Sequence, residues 1–167
     1  MAVREVLRYP HPALKVPARE IDPASAEAEA VAADLIDTMR SFPRCVGVAA
    51  PQLDEPVRMV VVDVSEHPKA PPGHHGLLVL ANPRVVSSEG SELAREGCLS
   101  IPDLTADVRR AARVEVEAWE PGGAHRVLRS EGFEARCLLH ELDHLDGILF
   151  LDRVESLTHV FRRKNYG

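Results

Sequence analysis

Two histidines one helical turn apart, His140 and His144, place the strongest constraint on what this chain can fold into. They fall within residues 131–146, whose apolar side chains recur with a helical period, and Gly147 follows as a typical helix C-terminus. At 100° per residue the two imidazoles lie within about 40° of each other, so one metal ion can contact both. Glu141 is close enough to act as general base on a metal-bound water.

The helix face that carries the two histidines also carries Phe133 and Cys137, and the rest of this helix is rich in leucine. A buried histidine needs a polar partner. The pattern therefore favours a metal site packed against a sheet over a charged helix face with two solvated histidines.

A catalytic metal site commonly uses three protein ligands and leaves one position for water. One class of zinc protease requires a histidine at position 150, which is Phe150 here. Another takes a glutamate from a later helix, and Glu155 is the one glutamate that follows His144. We therefore expect an upstream ligand. The best candidate is Cys98, because thiolates bind borderline-soft divalent metals strongly.

Two further cysteines, Cys45 and Cys137, compete with Cys98 for the third position. A small, apolar side chain suits the packed helix face, so we expect Cys137 to be a packing residue rather than a fourth ligand. The N-terminus has no apolar signal sequence, and the number of cysteines is odd. Both features point to a reducing, cytoplasmic location.

Composition excludes several classes of function. The formal charge is −6 and aromatic residues make up 4% of the chain, which disfavours binding to DNA and to single-stranded nucleic acid. No apolar run approaches the roughly 20 residues that span a bilayer, so we expect no membrane segment.

The remaining patterns predict an α+β fold, with an N-terminal helix, a series of strands and the histidine-bearing helix in one domain of residues 1–167. The first helix is expected to begin at Asp22-Pro23 and to end at Arg40. A short C-terminal helix is expected to carry Val154, Leu157 and Phe161. A segment rich in proline, glycine and histidine, residues 67–76, predicts a solvated loop. The expected strands cover residues 57–64, 77–80, 84–88, 91–95, 112–119 and 125–129.

Three motifs follow one another along the chain: CVGVAAPQ at 45–52, EGCLS at 96–100 and HELDH at 140–144. Their sequence and order resemble the peptide deformylases of bacteria and organelles, and the resemblance extends over nearly the whole chain. It implies antiparallel sheets around a central helix that carries the two histidines. It also implies removal of the formyl group from the N-terminal N-formylmethionine of newly synthesised polypeptides.

The resemblance implies one divalent metal per chain, held by Cys98, His140 and His144. Iron(II) is the expected metal in the cell, and zinc, nickel or cobalt can replace it. Hydroxide on the metal would attack the formyl carbon, with Glu141 as general acid and base.

The resemblance also assigns residues to the substrate. The side chain of Gln52 and the backbone N–H of Leu99 would hold the formyl oxygen, while Val46 and Gly47 would bind the substrate backbone.

The chain departs from the family pattern at three positions. Cys45 replaces a glycine that commonly begins the first motif, Thr105 replaces an arginine found in some members, and Arg136 replaces an apolar residue. These differences concern the methionine pocket and the backbone contacts rather than the chemistry. The resemblance also suggests a buried pair between Glu96 and Arg110.

Two other functions use the same helix. A peptidase would cleave internal peptide bonds and would need neither Cys98 nor Gln52. A non-enzymatic metal protein would have a closed, four-coordinate site. Gln52 and Glu141 argue against the second alternative, because a structural site needs neither.

The C-terminal segment, residues 156–167, contains Arg162, Arg163 and Lys164 but no acidic residue. It predicts a solvated helix end, where cations favour the helix dipole. The family resemblance suggests the alternative, a contact with ribosomal RNA near the nascent-chain exit.

Overall fold

The computed structural model describes residues 2–163. The two α-helices are α1, Ala26–Ser41, and α2, Gly132–Leu145. The strands are β1 Gly47–Ala49, β2 Met59–Val62, β3 Leu78–Glu89, β4 Glu92–Cys98, β5 Ile101–Arg110, β6 Arg113–Trp119, β7 His125–Glu131 and β8 Val160–Arg162.

The strands form two antiparallel sheets. One has five strands in the order β1-β2-β3-β6-β7, and the other has three in the order β4-β5-β8. This architecture confirms the predicted α+β class. No helix within residues 2–163 is long and apolar enough to cross a membrane.

The five-stranded sheet lies between the two helices, and strand β2 shows why. Its side chains alternate between the two faces of the sheet. Val60 and Val62 pack in the cluster that contains Leu138 of α2, whereas Val61 packs in the cluster that contains Leu35 of α1. Because both faces are covered, this strand is apolar throughout.

The start of α1 differs from the expectation. Asp22 does not cap the helix: its carboxylate accepts a hydrogen bond from Ala24 N at 3.0 Å and stabilises a turn before the helix. The cap is Ser25, whose Oγ accepts from Ala28 N at 3.1 Å. Both residue types can accept such bonds, so the sequence alone does not select between them.

The predicted C-terminal helix is wrong. The chain forms short 3₁₀ turns at Phe150–Arg153 and Leu157–His159 and then strand β8, which pairs with β5. Leu157, expected on the packed face of a helix, is 89% exposed. The edge of β5 has backbone N–H and C=O groups that can hydrogen-bond to this segment. Pairing with that edge stabilises the segment more than a local helix would. Lys164 lies outside the described residues.

Candidate active site

Helix α2 and the end of strand β4 bring three possible metal ligands together. One ligand atom each from Cys98, His140 and His144 lies within 4.8 Å of the others, and all three residues are buried. The Cys98 Sγ lies 3.4 Å from the His144 Nε2. Within residues 2–163, no other group of three such side chains meets this criterion, and neither Cys45 nor Cys137 belongs to it.

The position of Cys98 follows from an irregularity in the small sheet. The β4–β5 pairing runs in register to Gly97, which faces Thr105, and then shifts so that Cys98 faces Ile101. The shift closes a tight turn directly after the cysteine. It leaves Cys98 buried against the third core cluster, which also contains Phe150.

The charge state of this group suits a divalent metal. Burial alone would raise the pKa of the Cys98 thiol, but the neighbouring His144 and His140 rings hold that pKa well below its usual range. Metals are bound by the thiolate, not the thiol. One sulfur and two imidazole nitrogens form a donor set for zinc, iron(II) and similar ions, so the residues fit the metal that the family resemblance implies.

Glu141 projects into the same site from α2. Burial raises the pKa of its carboxyl group, although His140 and His144 oppose this effect. Its Oε1 has no hydrogen-bond partner among the described residues. A Cβ at Gly47 would lie 2.7 Å from Glu141 Oε2, so glycine is the residue that lets strand β1 approach this carboxylate.

The amide of Gln52 is fixed at both ends. Its Oε1 accepts a hydrogen bond from Ala49 N at 2.9 Å. Its Nε2 donates to Ser100 Oγ at 3.0 Å and lies 3.6 Å from Cys98 Sγ. The amide N–H therefore faces the metal ligands, and Leu99 lies in the turn just beyond Cys98. Sequence reasoning missed Ser100, although it belongs to the second motif.

These residues line a single groove of about 910 Å³. Among the described residues 2–163, strand β1 pairs only with β2, so its other edge is open beside the groove. Seven of the eight predicted site residues line it, and His144 lies behind them. The seven are Val46, Gly47, Gln52, Cys98, Leu99, His140 and Glu141.

A buried network of ion pairs contacts the proposed ligand His140 on the side of its Nδ1. Glu96 lies 2.9 Å from His140 Nδ1 and accepts hydrogen bonds from Arg110 at 2.9 Å and Arg136 at 2.7 Å. This contact leaves His140 Nε2 for the metal. Asp143 accepts from Arg110 at 2.9 Å and from Arg153 at 2.8 Å. The expected Glu96–Arg110 pair is thus present.

Glu96→Gln is expected to destabilise the protein by about 3–5 kcal/mol, because buried Arg136 would lose its carboxylate partner and buried Arg110 would keep only Asp143. Burial would raise the Glu96 pKa, but His140 and Arg110 lower it to about 2, from 4.5. The carboxylate's contribution is therefore present above pH 4.5 and is lost as the pH falls toward 2. Urea unfolding at neutral and acidic pH measures both effects.

The exposed Glu89→Gln is the control, since Glu89 also pairs with an arginine, Arg113, but at the surface. We expect it to change the unfolding free energy by less than about 1 kcal/mol. A Glu96→Gln effect equally small, or equally large at pH 7 and pH 2, would contradict the assignment.

The segment predicted as a solvated loop is a loop with exposed residues, such as Pro68 and Pro72, but it also packs against α2. The His67 ring stacks on Phe133 with centroids 4.1 Å apart, and His75 Nδ1 lies 2.7 Å from the buried carboxylate of Glu134. His67 and Lys69 line the groove. The composition of this segment correctly predicted a loop. It could not predict the contacts with Phe133 and Glu134, which lie about 60 residues further along the chain.

Comparison with known proteins gives a consistent result. The model of the polypeptide deformylase family matches residues 3–160. The chain is 41% identical over 165 residues to a peptide deformylase of Desulforudis audaxviator, covering 98% of this chain and 99% of the relative. It is 38% identical over 156 residues to that of Dictyoglomus thermophilum, covering 93% and 95%.

A solved structure shows the same fold. It is a class I type b peptide deformylase from Acinetobacter baumannii bound to Met-Ala-Ser, with a TM-score of 0.84 and 32% identity. The match covers 92% of this chain and all of that one (100%).

Proposed function

This chain belongs to the polypeptide deformylase family, and we propose how its groove carries out the reaction of that family. The protein is a hydrolase that removes the formyl group from N-formylmethionine of newly synthesised polypeptides and releases formate. The observation that carries the residue assignments is the convergence of Cys98, His140 and His144 beside the orphaned carboxylate oxygen of Glu141.

Cys98, His140 and His144 hold one divalent metal, iron(II) in the cell, with zinc, nickel or cobalt able to replace it. The bound metal supplies Lewis acidity, which lowers the pKa of a water molecule and polarises the formyl group. The lowered pKa of the Cys98 thiol supports its role, because metals bind the thiolate form.

Glu141 moves the proton. It accepts a proton from the attacking water, the new C–O bond forms at the formyl carbon, and the C–N bond to the methionine nitrogen breaks. Glu141 then gives the same proton to that nitrogen, so the free amine and formate leave. A carboxyl group whose pKa is raised by burial can perform both transfers near neutral pH.

Gln52 and Leu99 stabilise the charge that develops on the formyl oxygen. The Gln52 Nε2 and the Leu99 backbone N–H are the donors, and each is worth about 3 kcal/mol in the transition state. Ala49 N and Ser100 Oγ hold the Gln52 amide. The donor is therefore oriented before the substrate arrives.

Val46 and Gly47 bind the substrate backbone along the open edge of strand β1. An extended peptide can add to such an edge through main-chain hydrogen bonds. The Acinetobacter protein of the same fold, solved with Met-Ala-Ser, supports a tripeptide-sized substrate site.

Formate release from formyl-Met-Ala-Ser, measured without oxygen and alongside metal analysis, tests this proposal. We expect one metal per chain and release of one formate per peptide. N-acetylated peptides with internal bonds serve as the control for a peptidase. Cleavage of those bonds, or the absence of formate, would overturn the proposal.

We also propose that the basic C-terminal segment contacts ribosomal RNA while the protein works in the cytoplasm. Strand β8 places residues 160–162 of this segment at a sheet edge, with Arg162 exposed. Lys164 follows the described residues.

The double variant Arg162→Gln/Lys164→Gln tests the ribosome contact. It should co-sediment less with ribosomes than the parent chain in 50 mM salt and equally little in about 200 mM salt, since phosphate contacts weaken steeply with salt. Formate release from a short neutral peptide is the control for folding. Equal co-sedimentation of both chains at low salt would show that the segment makes no such contact.

A further inference from the structure

The last described residue, Arg163, reaches into the active-site groove. Its backbone N–H donates to Asp103 O at 2.9 Å, which continues the pairing of β8 with β5. Its guanidinium rests on Gly97, the residue before Cys98. A Cβ at Gly97 would lie 3.1 Å from Arg163 Cζ and would overlap the Nη2. The missing side chain of Gly97 thus makes room for this arginine beside the metal ligands.

The Arg163 guanidinium has no ion pair or hydrogen bond with any residue of the described range 2–163. Its neighbour Arg95 is different. Arg95 is paired with Asp107 at 2.8 Å and stacks on Phe161 at 3.8 Å. The positive charge of Arg163 is therefore available to an anionic ligand in the groove.

A second cation stands on another wall of the groove. Lys69 belongs to the loop that packs on α2 through His67, and its ammonium makes no ion pair within the described part of the chain. The buried carboxylate of Glu96 does not neutralise these two cations, because it is already bonded to Arg110, Arg136 and His140. Asp103 lines the groove too, but it forms no ion pair with Arg163.

We infer that Arg163 and Lys69 select formylated peptides with an acidic side chain at the second or third position, directly after the formylmethionine. This inference deepens the proposed function and rests on it. Both cations line the groove that also holds Cys98 and His140, so a peptide bound along this groove lies near them. A carboxylate there gains attraction from both, and an ammonium is repelled.

The test compares formyl-Met peptides with C-terminal amides that differ only at the second or third residue, which is Glu, Gln or Lys. For the wild-type protein we expect kcat/KM to be about fivefold higher for Glu than for Gln at the favoured position, as for an exposed ion pair of about 1 kcal/mol. The preference should reside in KM and should weaken in high salt.

Arg163→Gln should reduce the Glu-over-Gln preference by at least half, and Arg163→Lys should retain most of it. Adding Lys69→Gln to Arg163→Gln should reduce the Glu-over-Gln preference further. Arg162→Gln is the matched control, because it removes the same charge from the preceding residue, which does not line the groove. It should leave the preference unchanged.

Equal kcat/KM values for the Glu, Gln and Lys peptides at both positions would overturn the inference. So would an equal loss of preference in Arg162→Gln and Arg163→Gln, since that would show a general effect of net charge. Formate release from the Gln peptide by the wild-type protein reports separately on the proposed function.

Discussion

Replacing Glu141 by Gln should lower turnover by about 10²–10⁴-fold while the metal stays bound. General acid–base catalysis contributes roughly this factor. The amide has nearly the same shape as the carboxylate, so the close approach of Gly47 is preserved. The three proposed ligands remain in place. The variant therefore loses the proton transfers but neither the fold nor the metal site.

The measurement is formate release together with metal content for the parent and the variant, prepared in the same way. Glu134→Gln, two residues before Arg136 on α2, is not a suitable control because Glu134 is itself buried and bonded to His75. The exposed Glu155→Gln is suitable, and it should retain full activity. A Glu141→Gln activity within tenfold of the parent would refute the proton-transfer role.

Replacing Cys98 by Ala should remove both tight metal binding and activity. The substitution deletes one of three proposed ligands, and it deletes the one that carries negative charge. Loss of a partner outside the first coordination shell already lowers metal affinity by about 10–100-fold, so loss of a direct ligand should lower it by more than 100-fold. Metal titration of the metal-free protein measures the effect without depending on activity.

Cys137→Ala is the matched control for this experiment. Cys137 is also buried, it lies on the same helix face as His140, and it is not part of the three-ligand group. Burial raises its pKa, so it remains a neutral thiol. The control should bind one metal per chain. Tight binding of one metal by Cys98→Ala would exclude Cys98 and direct attention to Cys45 and Cys137.

The sequence predicts the parts of this fold in which local pattern and tertiary packing agree. The expected helix at 131–146 matches α2 to within one residue at each end. In β6, Val114 and Val116 alternate with Glu115 and Glu117, and the structure buries the valines as expected. Two of the three candidate ligands were predictable from local pattern, because helical spacing alone places His140 and His144 on one face.

Features that depend on distant partners were not predictable. Strand β5 was missed because it mixes a proline, two aspartates and two arginines, and its burial depends on β4 and β8. Two separate strands were predicted at 77–80 and 84–88. The structure joins them in one strand, β3, with irregular pairing at Arg84 and Ser87. Arg163 entered the groove because β8 formed, which no local helical period indicates.

The proposed ligands come from two parts of the fold that share no strand. Cys98 ends β4 in the three-stranded sheet, while His140 and His144 project from α2, which packs on the five-stranded sheet. A metal held by all three is therefore a non-covalent cross-link between two halves of the molecule. Its binding free energy opposes their separation, so metal capture and the closure of the two halves form one linked equilibrium. Chelation should thus loosen β4, β5 and β8 first, well before the central sheet unfolds.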